Sequence, residues 1–145
     1  MIRQPERFDR WARLLLQVVC GVLFAAHGSQ KFFGAFGGRG IAANVAYFER
    51  LGFLPGLFWT WVVIVVEFFG GLSIIVGLLT RFWASLIVIE MIVAIVRVNW
   101  ARGFISPQSG WEIPLAFGSI ALALVLMGPG FLSLDRAIGL ERRAS

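Results

Sequence analysis

The groups in this sequence that could do chemistry are few, and they sit where a charge is costly. His27 is the only histidine, and Lys31, the only lysine among thirteen basic residues, follows it in AAHGSQKFFG. Glu67, Glu90 and Arg97 lie inside long apolar runs, and Glu112 opens another. A charged side chain at the centre of a membrane span costs at least about 2.5–3.5 kcal/mol, so such residues are kept for pairing or for function. Two acids beside an imidazole, the group whose charge changes near neutral pH, are the parts of a proton-handling site. Glu67, Glu90 and His27 are therefore the candidate proton carriers. Lys31, Arg97, Glu112 and the small Gly70 are candidates to contact a ligand. A plainer reading stands beside this one, in which the charges pair only to fix helix register and bind nothing.

The elements that position these groups follow from composition. The chain has 145 residues, 59% hydrophobic and 14% charged, with a net charge of +5 and a mean hydropathy of +0.83. A soluble domain is nearer half apolar and a quarter charged, so the excess must face lipid. A span needs about 20 mostly apolar residues. Four candidates appear, at about 14–33, 57–79, 82–98 and 111–127, within a single domain covering 1–145. Backbone groups in hydrocarbon must be satisfied internally, which makes these runs helices. The expectation is an all-α integral membrane four-helix bundle.

At about 1.5 Å per residue, Glu67 and Glu90 fall near the midplane, and His27, Lys31 and Arg97 lie farther toward one boundary. Gln17, Cys20, Phe24, His27 and Lys31 form one stripe on the first span. Glu90, Ala94 and Arg97 share a face of the third, and Glu112, Ala116, Ser119 and Ala123 form a small, polar stripe on the fourth. On the second, Glu67 precedes Gly70 and Gly77, and small residues let a neighbouring backbone approach. These stripes are expected to face the bundle interior.

Lys and Arg in short flanks set orientation. Arg3, Arg7, Arg10, Arg13, Arg81, Arg136, Arg142 and Arg143 fall on one side, against Lys31, Arg39, Arg50, Arg97 and Arg102 on the other. The bias places both termini in the cytoplasm, and the six tryptophans fall at span ends, as interfacial residues do. The first span has the arginine-rich start of a signal peptide, but AAHGSQ is a poor cleavage site and the apolar run continues through Phe33, so it is read as a retained span. In the outer loop, Ile41, Val45, Phe48 and Leu51 recur at helical spacing, which predicts a short amphipathic helix over 41–51 after a glycine-rich hinge, GAFGGRG. Ser133 is placed to cap a short helix in SLDRAIGL.

Composition also excludes several chemistries. One cysteine rules out a CxxC pair and a cysteine-based metal cage. One histidine and one cysteine cannot supply bis-histidine haem or an iron–sulfur ligand set within a monomer. The glycine-rich stretch lacks the strand–helix setting of a nucleotide site, and the basic residues are loop charges rather than a nucleic-acid groove. No metal site is expected.

HGSQKFFG, VVEFFGGLSIIVGLLTR, GWE before the last span and LMGPGFLSLD after it together resemble the DoxX family of four-span membrane proteins, over about Arg13 to Asp135. The pattern is carried by Gly28, Lys31, Glu67, Gly70, Gly71, Thr80, Arg81, Gly110, Glu112, Gly128, Pro129, Gly130 and Asp135; Gln17 and Cys20 stand outside it. The resemblance implies a bacterial-type inner (plasma) membrane location and a tie to a thiosulfate:quinone oxidoreductase subunit. Three functions fit. The first is a membrane subunit of a redox-linked complex that binds a quinone or small oxidisable substrate in a polar pocket in the outer half of the bundle. Its electron transfer needs a bound quinone or a partner, and a protein partner or homo-oligomer is expected. The second is a non-catalytic anchor or assembly module for a partner protein. The third is a small proton-coupled transporter, which would need to oligomerise.

Overall fold

The computed structural model describes residues 6–141, with side chains from residue 8 onward; Arg3, Arg142 and Arg143, counted for orientation, lie outside it. Helix α1 runs Glu6–Phe32. A 3-10 turn, Ala35–Gly37, leads into α2, Gly40–Arg50. Helices α3, Gly56–Val76, and α4, Thr80–Arg102, follow. The last two are α5, Glu112–Met127, and the single turn α6, Leu134–Ala137. The described residues contain no strand. The apolar parts of α1, α3 and α4 are each long enough to cross a membrane, and α5 is a shorter apolar helix of 16 residues. The protein is an all-α membrane bundle.

Each expected span coincides with a helix, and the predicted amphipathic helix is α2. Helix α1 starts well before Leu14, because its polar first turns continue the apolar segment outward. The expected hinge is a folded reversal, in which Gly34, Gly37 and Gly40 take positive φ and the Gly38 N–H donates to Ala35 O at 2.8 Å. Glycine takes that left-handed conformation at no steric cost.

Small residues decide which helices meet. A Cβ added to Gly28 of α1 would lie 2.3 Å from the Phe68 backbone nitrogen of α3, and one on Gly71 would lie 2.4 Å from Ala25 N. The two backbones therefore touch, the packing that small residues allow in lipid. Helices α4 and α5 join through Ala84, Ile87, Met91, Ala121 and Leu124. Phe24 meets Phe117 edge-on at 5.9 Å and ties α1 to α5. Helices α3 and α4 touch near the turn that joins them and part toward the α2 end. Each carries a π-turn, Val65–Phe69 in α3 and Ala94–Asn99 in α4.

The opposite end is locked by polar contacts. The Gln17 amide, fully buried on α1, donates to Ile75 O at 3.1 Å and accepts from the Gly130 N–H at 2.7 Å. Arg13 donates to Met127 O at 2.9 Å. Arg81 donates to Val125 O and Leu126 O and pairs with Glu141. Both arginines thus meet the negative end of the α5 dipole. Ser133 caps α6 as predicted, accepting from the Arg136 N–H.

Candidate functional site

Lys31 in the last turn of α1 and Glu67 in the π-turn of α3 form an ion pair, with Nζ and Oε2 2.5 Å apart and the two side chains 22% and 6% exposed. An α-helix advances about 100° per residue, and a π-turn inserts one extra residue and resets the face that follows. Glu67 sits at the centre of that reset. On α4, Glu90 lines the same cavity as Lys31 and Glu67. Glu90 Oε2 is sealed from solvent without a partner. Only a donor would satisfy it, and an ionised carboxylate is none.

This cluster borders a cavity of about 430 Å³ between α3 and α4. Val62, Val63 and Val66 form one wall and Leu86, Ile89, Val93 and Val98 the other, while Tyr47, Phe48, Phe53 and Trp59 close it at the α2 end. The lining is apolar except where Lys31, Glu67 and Glu90 reach in. Ile89, on the rim, is 58% exposed on the outer face of the bundle, so the cavity opens sideways where lipid would lie. A larger groove of about 720 Å³ at the opposite end, edged by Arg10 and Arg136, holds no acid among its lining residues.

The other expected residues stand apart. The His27 ring packs 5.5 Å from that of Phe117, facing α5, and does not line the cavity. Arg97 is exposed, with its guanidinium 5.5 Å from the Phe53 ring centroid, rather than on the interior face expected for Glu90, Ala94 and Arg97. The π-turn at Ala94–Asn99 is the reason, because it rotates Arg97 away from the face of Glu90. Gly70 lies under the Trp83 ring, where it lets α4 approach. Glu112 starts α5 with its Oε2 buried and unpartnered beside Gly110, and it too is outside the cavity. The predicted stripe on α5 is also corrected. Ala116 and Ser119 are exposed, Ser119 Oγ donates to its own Leu115 O, and Pro114, Ala121 and Leu124 turn inward instead.

Sequence reasoning passed over Tyr47, Phe53 and Trp59. Tyr47 is the only tyrosine, and a lone phenol on an amphipathic helix beside a buried charge was the available signal.

The model of the DoxX family matches residues 12–100. A Bacillus subtilis protein named "Putative oxidoreductase CatD" is 34% identical, over 84% of this chain and 83% of its own length. "Uncharacterized membrane protein Rv3486" of Mycobacterium tuberculosis is 32% identical, over 93% of this chain and 91% of its own. "Inner membrane protein YqjF" of Escherichia coli is 32% identical, over 86% and 90%. No solved structure matches the chain significantly.

Proposed function

The chain belongs to the DoxX family, and from that premise we propose that it is the membrane subunit of a redox-linked complex that takes a quinone, or a similar small oxidisable molecule, into the α3–α4 cavity. The observation that carries this reading is the Lys31–Glu67–Glu90 cluster at the border of an otherwise apolar cavity open to the side of the bundle. A quinone has an apolar body that dissolves in lipid and two oxygens that need hydrogen bonds. The Lys31 ammonium is a donor for one oxygen, and the carboxyl pair takes up or releases the protons that accompany electron transfer. Electrons come from a partner subunit or an oligomeric assembly. The oxidoreductase name of the Bacillus relative supports this reading, and the Escherichia name supports an inner-membrane location. The whole of 1–145 is read as one domain, with both termini cytoplasmic.

The non-catalytic anchor has an observation in its favour. Thr80, Arg81, Gly128, Gly130 and Asp135, all part of the family pattern, have structural roles at the end away from the cavity. A titration separates the two readings. Short-chain ubiquinone added to the full chain in lipid nanodiscs should quench tryptophan fluorescence saturably, and Val66→Phe, which narrows the cavity beside Glu67, should weaken binding at least tenfold. Quenching by the parent chain that never saturates leaves the anchor standing.

A further inference from the structure

Lys31 and Tyr47 line two cavities, not one. Beyond the apolar cavity lies a polar pocket of about 310 Å³, bounded by Gln30, Gly37, Gly38, Arg39 and Asn44 together with the same lysine and tyrosine. Arg39 lies 5.1 Å over the Tyr47 ring, and the Asn44 amide is anchored to Gly40 O at 2.7 Å. The two spaces differ in chemistry. One is walled by aliphatic and aromatic side chains, and the other by an amide pair, a guanidinium and a glycine turn. Lys31 stands at their border with Glu67 held against it.

We propose that the polar pocket is the proton entrance of the site. Water in it exchanges protons with the Glu67–Glu90 pair through Lys31 and Tyr47, while the opening between α3 and α4 admits only apolar molecules. This rests on the reading above that the carboxyl pair holds an exchangeable proton. An apolar wall offers a proton no donor or acceptor to move along, so a buried acid exchanges only through a polar chain. Each transfer balances: Lys31 Nζ gives one proton to a carboxylate oxygen and regains one from hydronium in the pocket, which leaves as water. The return step reverses both. The groups facing this path are Lys31, Arg39, Tyr47, Glu67 and Glu90. Separate entrances keep bulk water away from a lipid-soluble ligand while its protons equilibrate with one face of the membrane, the face that carries α2.

Hydrogen–deuterium exchange tests this directly. The full chain in lipid nanodiscs is moved from H2O to D2O, and the protonated-carboxyl band, assigned by its loss in Glu67→Gln and Glu90→Gln, is followed by infrared spectroscopy. Asn44→Leu and Gln30→Leu should each slow its exchange at least tenfold. Asn44→Ser, which keeps the pocket polar, should exchange near the parent rate, and so should Ile89→Phe on the apolar rim. Exchange at the parent rate in both leucine variants, or equal slowing by Ile89→Phe, overturns the entrance alone. A parent spectrum without the band overturns the proton-carrying carboxyl pair of the proposed function as well.

Discussion

Asp135 caps helix α4 from the far end of the chain. Its two carboxylate oxygens accept the Leu79 N–H at 2.6 Å and the Thr80 N–H at 2.8 Å, and its own N–H donates to Gly77 O at 2.8 Å. Leu79 is held at φ 50 in the turn that precedes α4, so the cap fixes a tight turn as well as a helix start. Asp135 is 3% exposed. Hydrogen bonds to a charged group contribute roughly 1.5–3 kcal/mol. Asp135→Ala should therefore lower the detergent melting temperature by several degrees, and Asp135→Asn, with one acceptor oxygen, should fall between it and the parent. Cavity ligand binding should be unchanged in the part that stays folded. A melt of Asp135→Ala that overlays the parent would show that the turn holds itself.

Gly28 gives a sharper steric prediction. The atoms a Cβ would strike are the backbone and Cβ of Phe68, which cannot step aside as the tip of a flexible side chain can. Gly28→Ala must push α1 away from α3, at a cost of at least about 1–3 kcal/mol, and should carry Lys31 away from Glu67. Gly118→Ala is the control: there the nearest atom, Met91 Cβ, is 3.1 Å away and the next 3.6 Å, so a shift of a few tenths of an ångström relieves the contact. Thermal melts of the two variants should differ clearly, with Gly28→Ala the lower.

How far the sequence could be read depends on which force wrote each feature. Hydropathy marks the membrane runs because lipid tolerates little else, so all four helices and α2 were legible. Side-chain orientation on α5 was not. Lipid tails are as apolar as a core, so exposed Ala116 and Ser119 carry no penalty that would mark the inward face. The placement of Arg97 failed for another reason. A face extrapolated at 3.6 residues per turn is correct only while the helix is regular, and the π-turn after Val93 has no sequence signature in this chain. Depth and charge gathered Glu67 and Glu90 with His27, Lys31 and Arg97 but did not single out Lys31, which by residue count lies nearer the boundary than Glu67. Its long side chain and the close approach of α1 to α3 make the pair. The aromatic closure by Tyr47, Phe53 and Trp59 depends on α2 folding back onto α3, which is a tertiary event.

Orientation can be tested with single cysteines. Gly38 is a poor reporter, because a Cβ there would lie 2.3 Å from Gln30 O. Ala43, exposed on α2, and Ala137, exposed on α6, are open positions. The native Cys20 is fully buried and should stay silent. With both termini cytoplasmic, Ala43→Cys in intact cells should react with a membrane-impermeant maleimide, and Ala137→Cys should react only after lysis. The reverse pattern would invert the topology and put the α2 face inside.

The ion pair itself decides between structural glue and a working site. Removing one partner of a buried pair leaves the other uncompensated, whereas replacing both by apolar side chains of similar volume is often neutral or stabilising. Lys31→Met alone strands Glu67, which is 6% exposed, and Glu67→Met alone strands the less buried Lys31, at 22%. The first change should therefore destabilise more than the second. Lys31→Met combined with Glu67→Met should recover most of the lost stability, with a coupling of about 1–3 kcal/mol by double-mutant cycle. Glu67→Gln, which keeps a hydrogen-bonding side chain but no titratable proton, should fold like the parent. If the pair only fixes register, Glu67→Gln and the double variant should both support turnover with the natural partners. If Glu67 carries protons for a bound quinone, both should be stable and inactive, and the double variant should also bind short-chain ubiquinone more weakly, having lost the Lys31 donor. Parental turnover by Glu67→Gln in a reconstituted assay would remove the catalytic role and leave Lys31 and Glu67 as a clamp between α1 and α3.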